Sequence, residues 1–138
     1  HVPKTTETFH GENRGDVHKF AHTLIDAGAD VVFGHGPHVT RAVEVYRDRF
    51  IAYSMGNFCT YGRISITGPN GIAPLIVVTT DTTGRFLAGK IIPVFQTKAE
   101  GTRIDPEKRV IKKIQDLTAA DFPDAVINIS DEGVISYK

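Results

Sequence analysis

The sequence predicts a mixed α+β domain in which one βα-type unit is followed by antiparallel hairpins, rather than a doubly wound parallel sheet. A helical apolar stripe precedes the short apolar run Val31–Phe33, as in a helix that leads into a buried strand. Beyond that run, pairs of strand-like segments are separated by short turns, as in hairpins. The 138 residues include 41% hydrophobic and 23% charged residues, which is typical of a globular domain. We therefore expect residues 1–138 to form a single domain or the larger part of one.

The first half of the chain contains the clearest helix signal. Residues 1–10 are polar and without a period, so they indicate a loop or an edge strand. The segment Asp16–Ala27 is predicted to be a helix because its apolar residues recur on one face. Asp16 is a suitable N-cap, and Gly28 stands where a left-handed C-cap with positive φ is needed. The apolar stripe consists of Val17, Phe20, Ala21, Leu24 and Ile25. Val31–Phe33 then reads as a strand covered on both faces.

Three hairpins are predicted in the rest of the chain. They pair Ala42–Tyr46 with Phe50–Ser54, Ile72–Thr80 with Arg85–Phe95, and Val126–Ser130 with Val134–Tyr137. Between the first two hairpins, Met55–Gly71 is rich in glycine and is predicted to be a long surface loop. A second helix is predicted with Asp105 as its cap and Pro106 at its first position.

Composition excludes several classes of protein. Lysine plus arginine and aspartate plus glutamate both number 16, so the net charge is zero and a dedicated nucleic-acid binder is not expected. The single cysteine, Cys59, excludes an internal disulfide framework and a multi-cysteine zinc site. The longest apolar run, Ile72–Val78, contains a proline and is too short to span a bilayer, so no transmembrane segment is expected. Because the chain begins at His1, we expect an earlier segment to have been removed.

The segment Gly34–His38 carries the strongest chemical signal. His35 and His38 directly follow the end of the predicted strand, where ligands gather in open α/β sheets. The glycines allow close approach of the backbone, and imidazole suits divalent transition metals. The sequence therefore predicts His35 and His38 as metal ligands, with an ordinary pair of loop histidines as the alternative. A dinucleotide-binding motif is excluded because Val39 occupies its third glycine position.

A second pair of histidines lies on the first predicted helix. His18 and His22 have the spacing of a zincin motif, but Lys19 stands where that motif needs glutamate. We therefore expect these two histidines to be on the solvent side or at the boundary of the helix.

The segments Leu24–Val39 and Ile51–Phe58, with Glu44 between them, resemble the capsule-synthesis (CapA-like) family, also called the poly-gamma-glutamate-synthesis family. The resemblance implies a calcineurin-like metallophosphoesterase fold, in which two β-sheets form a sandwich flanked by helices in αββα layers. This chain would be the C-terminal part of that domain. Enzymes of this kind hold two divalent metal ions that activate water for attack on phosphorus.

The resemblance supports some of the predicted site residues and not others. Gly34 and His35 match the start of the superfamily's Gly-His-x-His metal motif, whereas His38 lies one residue further on. His10 is too close to the helix to match the family's earlier histidine motif, whose histidine we expect before His1. The aspartate and Asn-His motifs have no counterpart. A two-metal site is therefore expected only in the full-length domain, and this segment alone is expected to be inactive.

The resemblance also implies a role in capsule or poly-gamma-glutamate biosynthesis at the cell envelope, periplasmic or extracellular, with an anionic exopolymer or its precursor as partner. The alternative is a non-catalytic polymer-binding or assembly module of the same fold. A nucleotide-binding domain is a third, weaker possibility. Glu44 and Asn57, at strand ends near the histidine loop, are predicted to contact substrate. Their alternatives are an exposed hairpin face for Glu44 and a turn position for Asn57.

Overall fold

The computed structural model describes residues 1–60 and 62–138 and has a mixed α+β architecture. The strands and helices, in chain order, are β1 (Glu7–Phe9), β2 (Glu12–Gly15), α1 (Val17–Asp26), β3 (Val31–Phe33), β4 (Val43–Tyr46), β5 (Arg49–Ala52), β6 (Ile72–Thr80), β7 (Phe86–Thr97), β8 (Gly101–Ile104), α2 (Arg109–Asp121), β9 (Ile127–Ile129) and β10 (Val134–Tyr137). A short 3₁₀ turn at Gly68–Gly71 leads into β6. Over these described ranges, the strands form one two-stranded, one three-stranded and one five-stranded sheet. The predicted α+β class is confirmed.

The three-stranded sheet, in the order β3-β5-β4, positions the histidine loop. β5 pairs in parallel with β3 and antiparallel with β4, and its residues Phe50–Ala52 are fully buried. The β4–β5 hairpin was predicted, and it turns at Arg47 and Asp48, which both have positive φ. The prediction that β3 is covered on both faces is wrong at its end, because Phe33 is 46% exposed.

The five-stranded sheet contains the other two predicted hairpins. Its order is β6-β7-β10-β9, with β8 paired to β7. α2 packs onto this sheet through Val110, Ile111 and Ile114, which are almost completely buried. Phe86 of β7 stacks on Phe50 of β5 at a centroid distance of 5.4 Å, so the two larger sheets share one apolar core.

Helix α1 has the predicted ends but not the predicted face. Asp16 caps it by accepting a 2.8 Å hydrogen bond from the backbone N–H of Lys19, and Gly28 has φ +106°. Ala21 and Ile25 are buried, as the apolar stripe predicted, but Phe20 is 63% exposed. The helix is therefore rotated so that a polar flank of the stripe faces the protein.

Residues 1–10 were expected to be a loop or edge strand, and they supply β1, which agrees with that expectation and pairs with the unanticipated strand β2. One further boundary differs from the sequence-based expectation. The second helix begins at Arg109 rather than beside Asp105, because Lys108 has a left-handed φ of +53° that interrupts helical geometry. Among the described residues, no helix has the length and apolar character that crossing a membrane requires.

Candidate functional site

The Gly34–His38 loop is fixed to β5 by its first residue. The backbone N–H of Gly34 donates to the carbonyl of Ala52 at 2.7 Å, and the Gly34 carbonyl accepts from Met55 N–H at 2.9 Å. A Cβ atom at position 34 would overlap the backbone carbonyl of Tyr53. Glycine is therefore required here by the close approach of two backbones, and the loop leaves β3 in a defined direction.

Both predicted metal ligands are exposed side chains in this loop. The Nδ1 atom of His38 lies 2.8 Å from Oδ1 of Asn57, and His35 Nδ1 lies 3.4 Å from the carbonyl of Gly56. An N–H at His38 Nδ1 that donates to Asn57 leaves Nε2 with its lone pair, which is the form that binds a metal. His38 also has a positive φ of 59°, which is uncommon for a residue with a side chain.

Asn57 holds the loop in place through hydrogen bonds of its buried side chain. Its side chain is buried, and its Nδ2 donates to the carbonyls of His38 at 3.1 Å and Asn70 at 3.2 Å. These bonds, together with the bond to the His38 ring, use both ends of the amide. The structure thus gives Asn57 a positioning contact with His38, and direct contact with a substrate stays a prediction.

The donor set of the loop matches only part of a metal site. Within residues 1–60 and 62–138, no histidine, cysteine, aspartate or glutamate joins His35 and His38 as a third ligand in a compact group. Zinc sites usually have three or four protein ligands, and a two-metal site needs more. The described residues therefore do not complete a metal site at this loop.

Glu44 lies in a different environment from the one expected. Its carboxylate is 14% exposed, and Oε2 is 3.0 Å from His22 Nε2 and 2.6 Å from the hydroxyl of Tyr53. The side chain therefore points from β4 towards α1 and is not on an exposed hairpin face. Burial and the hydrogen bond to Glu44 raise the pKa of Tyr53, so the phenol stays protonated and donates to the carboxylate.

His18 and His22 occupy the inward-facing polar flank of α1. Their ring centroids are 4.1 Å apart, and the His22 ring stacks on Tyr46 at 3.7 Å. Burial, followed by the neighbouring His22, lowers the pKa of His18. Both residues are half-buried, which agrees with a boundary position but not with a solvent-side one.

The structure brings His18, His22 and Glu44 into one group, which the sequence reasoning missed. One ligand atom from each lies within 4.8 Å of the others. The helical spacing of four was a usable signal, because it places two side chains on the same face. The contribution of Glu44 could not be read locally, because it depends on how β4 packs against α1.

A cavity of about 290 Å³ lies beside the loop, between α1 and the three-stranded sheet. Its lining is largely apolar, including the exposed rings of Phe20 and Phe33, and His35 stands at its edge. Arg14 and Arg41 add positive charge to this lining. Arg41 is buried and paired with Glu7, whereas Arg14 is exposed and lies 4.8 Å from the ring of Phe9.

Comparisons with known proteins show similarity in the first half of the chain. Residues 7–61 match the family described as Bacterial capsule synthesis protein PGA_cap. An uncharacterized protein of Sinorhizobium fredii is 60% identical over 38 residues, which are 28% of this chain and 8% of that protein. The capsule biosynthesis protein CapA of Bacillus anthracis is 50% identical over 38 residues, covering 28% and 9% of the two chains. The PGA biosynthesis protein CapA of Bacillus subtilis is 50% identical over 40 residues, covering 29% and 10%. The matched segments therefore span 8% to 10% of the length of these relatives.

Proposed function

We propose that this chain binds an anionic exopolymer such as poly-gamma-glutamate, or its precursor, at the cell envelope, because residues 7–61 match the family of bacterial capsule synthesis proteins. The observation that carries this proposal is the cavity beside the Gly34–His38 loop. Arg14 supplies an exposed positive charge at this cavity, and His35 supplies an imidazole at its edge. An anionic chain of carboxylates or phosphates would meet both groups there.

The proposal includes a divalent transition metal held in part by the Nε2 atoms of His35 and His38. When bound, such an ion polarises a phosphoryl oxygen and lowers the pKa of a coordinated water. The contact between His38 Nδ1 and Asn57 Oδ1 restrains the His38 ring and leaves Nε2 for the ion. The further ligands of a two-metal phosphoesterase site would come from other parts of a longer protein with αββα layers.

A polymer-binding module without catalysis is the second candidate. It is favoured by one observation, that the described ranges supply only two imidazoles at the loop and no third ligand beside them. We expect the 138-residue chain to show no metal-dependent hydrolysis of a phosphomonoester or phosphodiester above a His35→Ala control. Turnover that is lost in His35→Ala would contradict this expectation and favour the enzyme.

Polymer binding can be tested by fluorescence anisotropy with labelled poly-gamma-glutamate of defined length at low ionic strength. Arg14→Gln should weaken binding at least about threefold, because one charge-assisted contact is lost. Arg103→Gln is the matched control, since Arg103 is an exposed arginine on β8, in the five-stranded sheet. No measurable binding, or equal weakening by both variants, would refute the assignment of the cavity.

The metal can be tested by elemental analysis of the chain after loading with Mn²⁺ or Zn²⁺ and removal of free ion. His38→Ala should lower the metal-to-protein ratio relative to the unchanged chain. His10→Ala serves as the control, because His10 is an exposed histidine in the turn between β1 and β2. An unchanged ratio in His38→Ala would refute the loop as a metal-binding element.

A further inference from the structure

We propose that His18, His22 and Glu44 form a binding site for a divalent transition-metal ion of the zinc class, separate from the Gly34–His38 loop. The site joins one face of α1 to β4. It uses a two-nitrogen, one-oxygen donor set that neither the loop nor the family match assigns.

The geometry is close to that of a coordinated ion. His22 Nε2 and Glu44 Oε2 are 3.0 Å apart, and the donor atoms of all three residues lie within 4.8 Å of one another. Donors placed about 2.0–2.1 Å from a tetrahedral zinc ion are about 3.3 Å from each other. The His22–Glu44 separation of 3.0 Å is close to this value, and the limit of 4.8 Å for the whole group exceeds it, so a bound ion would draw the donors closer together.

The supporting contacts hold two of the three ligands in place. Tyr53 donates to Glu44 Oε2 at 2.6 Å, and the ring of Tyr46 stacks on His22 with an interplanar angle of 13°. Hydrogen-bonded carboxylates and packed imidazoles are the usual surroundings of metal ligands, because they limit the side chains to a few orientations. Ala21 and Ile25, in the apolar stripe of α1, are buried and hold the helix on the sheet.

The donor set indicates which ion would bind. Two imidazoles and a carboxylate suit zinc, cobalt and ferrous iron better than calcium or magnesium, which prefer all-oxygen sites. Three protein ligands leave a fourth position open for water or a substrate group, as in catalytic zinc sites. His22 and Glu44 keep 20% and 14% of their side-chain surface exposed, so an ion can enter.

Titration of the metal-free 138-residue chain with Co²⁺ tests the proposal directly. Tetrahedral or five-coordinate Co²⁺ should give visible absorption bands that saturate and disappear when Zn²⁺ is added. Glu44→Gln and His18→Gln should each weaken Co²⁺ binding by at least about tenfold, since loss of even an outer-shell partner costs about that much. Glutamine at position 44 keeps an oxygen that can accept from Tyr53, so this variant preserves the local hydrogen bond.

His10→Ala is the matched control, because His10 is an exposed histidine in the turn between β1 and β2 and belongs to neither proposed metal site. The absorption bands should survive in His10→Ala. Absence of bands in the unchanged chain, or Co²⁺ binding in Glu44→Gln as tight as in the unchanged chain, would overturn the proposal. Imidazole ¹⁵N spectra of the unchanged chain give a test that needs no variant. Zn²⁺ should shift the resonances of His18 and His22, and the absence of such shifts would also overturn the site.

Discussion

Gly34→Ala is predicted to destabilise the protein strongly and to displace the histidine loop. The added methyl carbon would overlap the carbonyl oxygen of Tyr53 and lie 2.9 Å from its carbonyl carbon and 3.3 Å from the Ala52 oxygen. Carbon atoms in favourable contact are about 3.5–4.0 Å apart. All the atoms that obstruct the methyl group belong to the backbone of β5 and its extension, so no side-chain rotation can relieve the overlap.

The expected loss of stability has two sources, the steric overlap and the weakening of the hydrogen bonds that Gly34 makes. Overpacking of this kind costs about 1–3 kcal/mol. Separating the two backbones also weakens the hydrogen bonds that Gly34 makes with Ala52 and Met55, each worth about 1 kcal/mol. We therefore expect a loss of about 2–4 kcal/mol, which is a large fraction of the roughly 5–15 kcal/mol that stabilises a typical domain.

Urea denaturation followed by circular dichroism is the appropriate assay. With a slope of about 2 kcal/mol per molar urea, the midpoint should fall by about 1–2 M. Gly36→Ala is the control in the same loop, since a Cβ there meets open space and only the positive φ of 66° is unfavourable. That variant should lose about 1 kcal/mol. A loss in Gly34→Ala no greater than in Gly36→Ala would refute the close-approach argument.

Three further predictions concern other positions. Gly28→Val should lower the free energy of unfolding by about 1 kcal/mol or more in a urea titration, because a β-branched residue resists φ +106°. Asn57→Ala should lower the melting temperature, at a cost of about 1–3 kcal/mol, because the buried amide's bonds to His38 are lost. Burial alone would raise the pKa of Asp105, but hydrogen bonds from Arg109 outweigh it and hold that pKa below the usual value. The stabilisation from Asp105 is therefore complete above about pH 4 and lost as the pH falls through the lower folded-state pKa. Asp105→Asn should show a smaller loss of stability between pH 5 and pH 2 in parallel urea titrations. Equal pH dependence in both proteins, or unchanged stability in the first two variants, would contradict these assignments.

Local signals in the sequence were sufficient for most of the secondary structure. The hairpin from Ile72 to Phe95 and the cap at Asp16 follow from alternation, turn residues and side-chain chemistry within a few positions. The start of α2 did not follow, because the left-handed conformation of Lys108 carries no residue-type signal. Asp105 nevertheless accepts a hydrogen bond from the backbone N–H of Arg109. The capping residue was therefore predicted correctly, but the helix that it caps begins later in the sequence than predicted.

Candidate site residues could be proposed from the sequence only where they lie in one continuous segment. His35 and His38 share one loop, and a single segment was enough to propose them. The His18, His22 and Glu44 group depends on the rotation of α1 about its axis, and the apolar stripe alone assigned that rotation incorrectly at Phe20. The apolar stripe of α1 has an aromatic residue at one edge and histidines at the other. Either edge could face the protein, so the rotation of the helix is decided by how the neighbouring strands pack against it.

The turn between β4 and β5 has a consequence for where this protein tolerates inserted sequence. Hairpin tips are ordinarily suitable places for a tag or a fluorescent label. Here the carbonyl of Asp48 accepts from Phe86 N–H at 2.8 Å and its carboxylate accepts from the Tyr137 hydroxyl at 3.3 Å, so the tip is fastened to the five-stranded sheet. An insertion at Asp48 would disrupt these two hydrogen bonds between the sheets and lower the stability of the protein. The exposed turn around Ala99, between β7 and β8, is a better position for a reporter that leaves the histidine loop and the α1 group undisturbed.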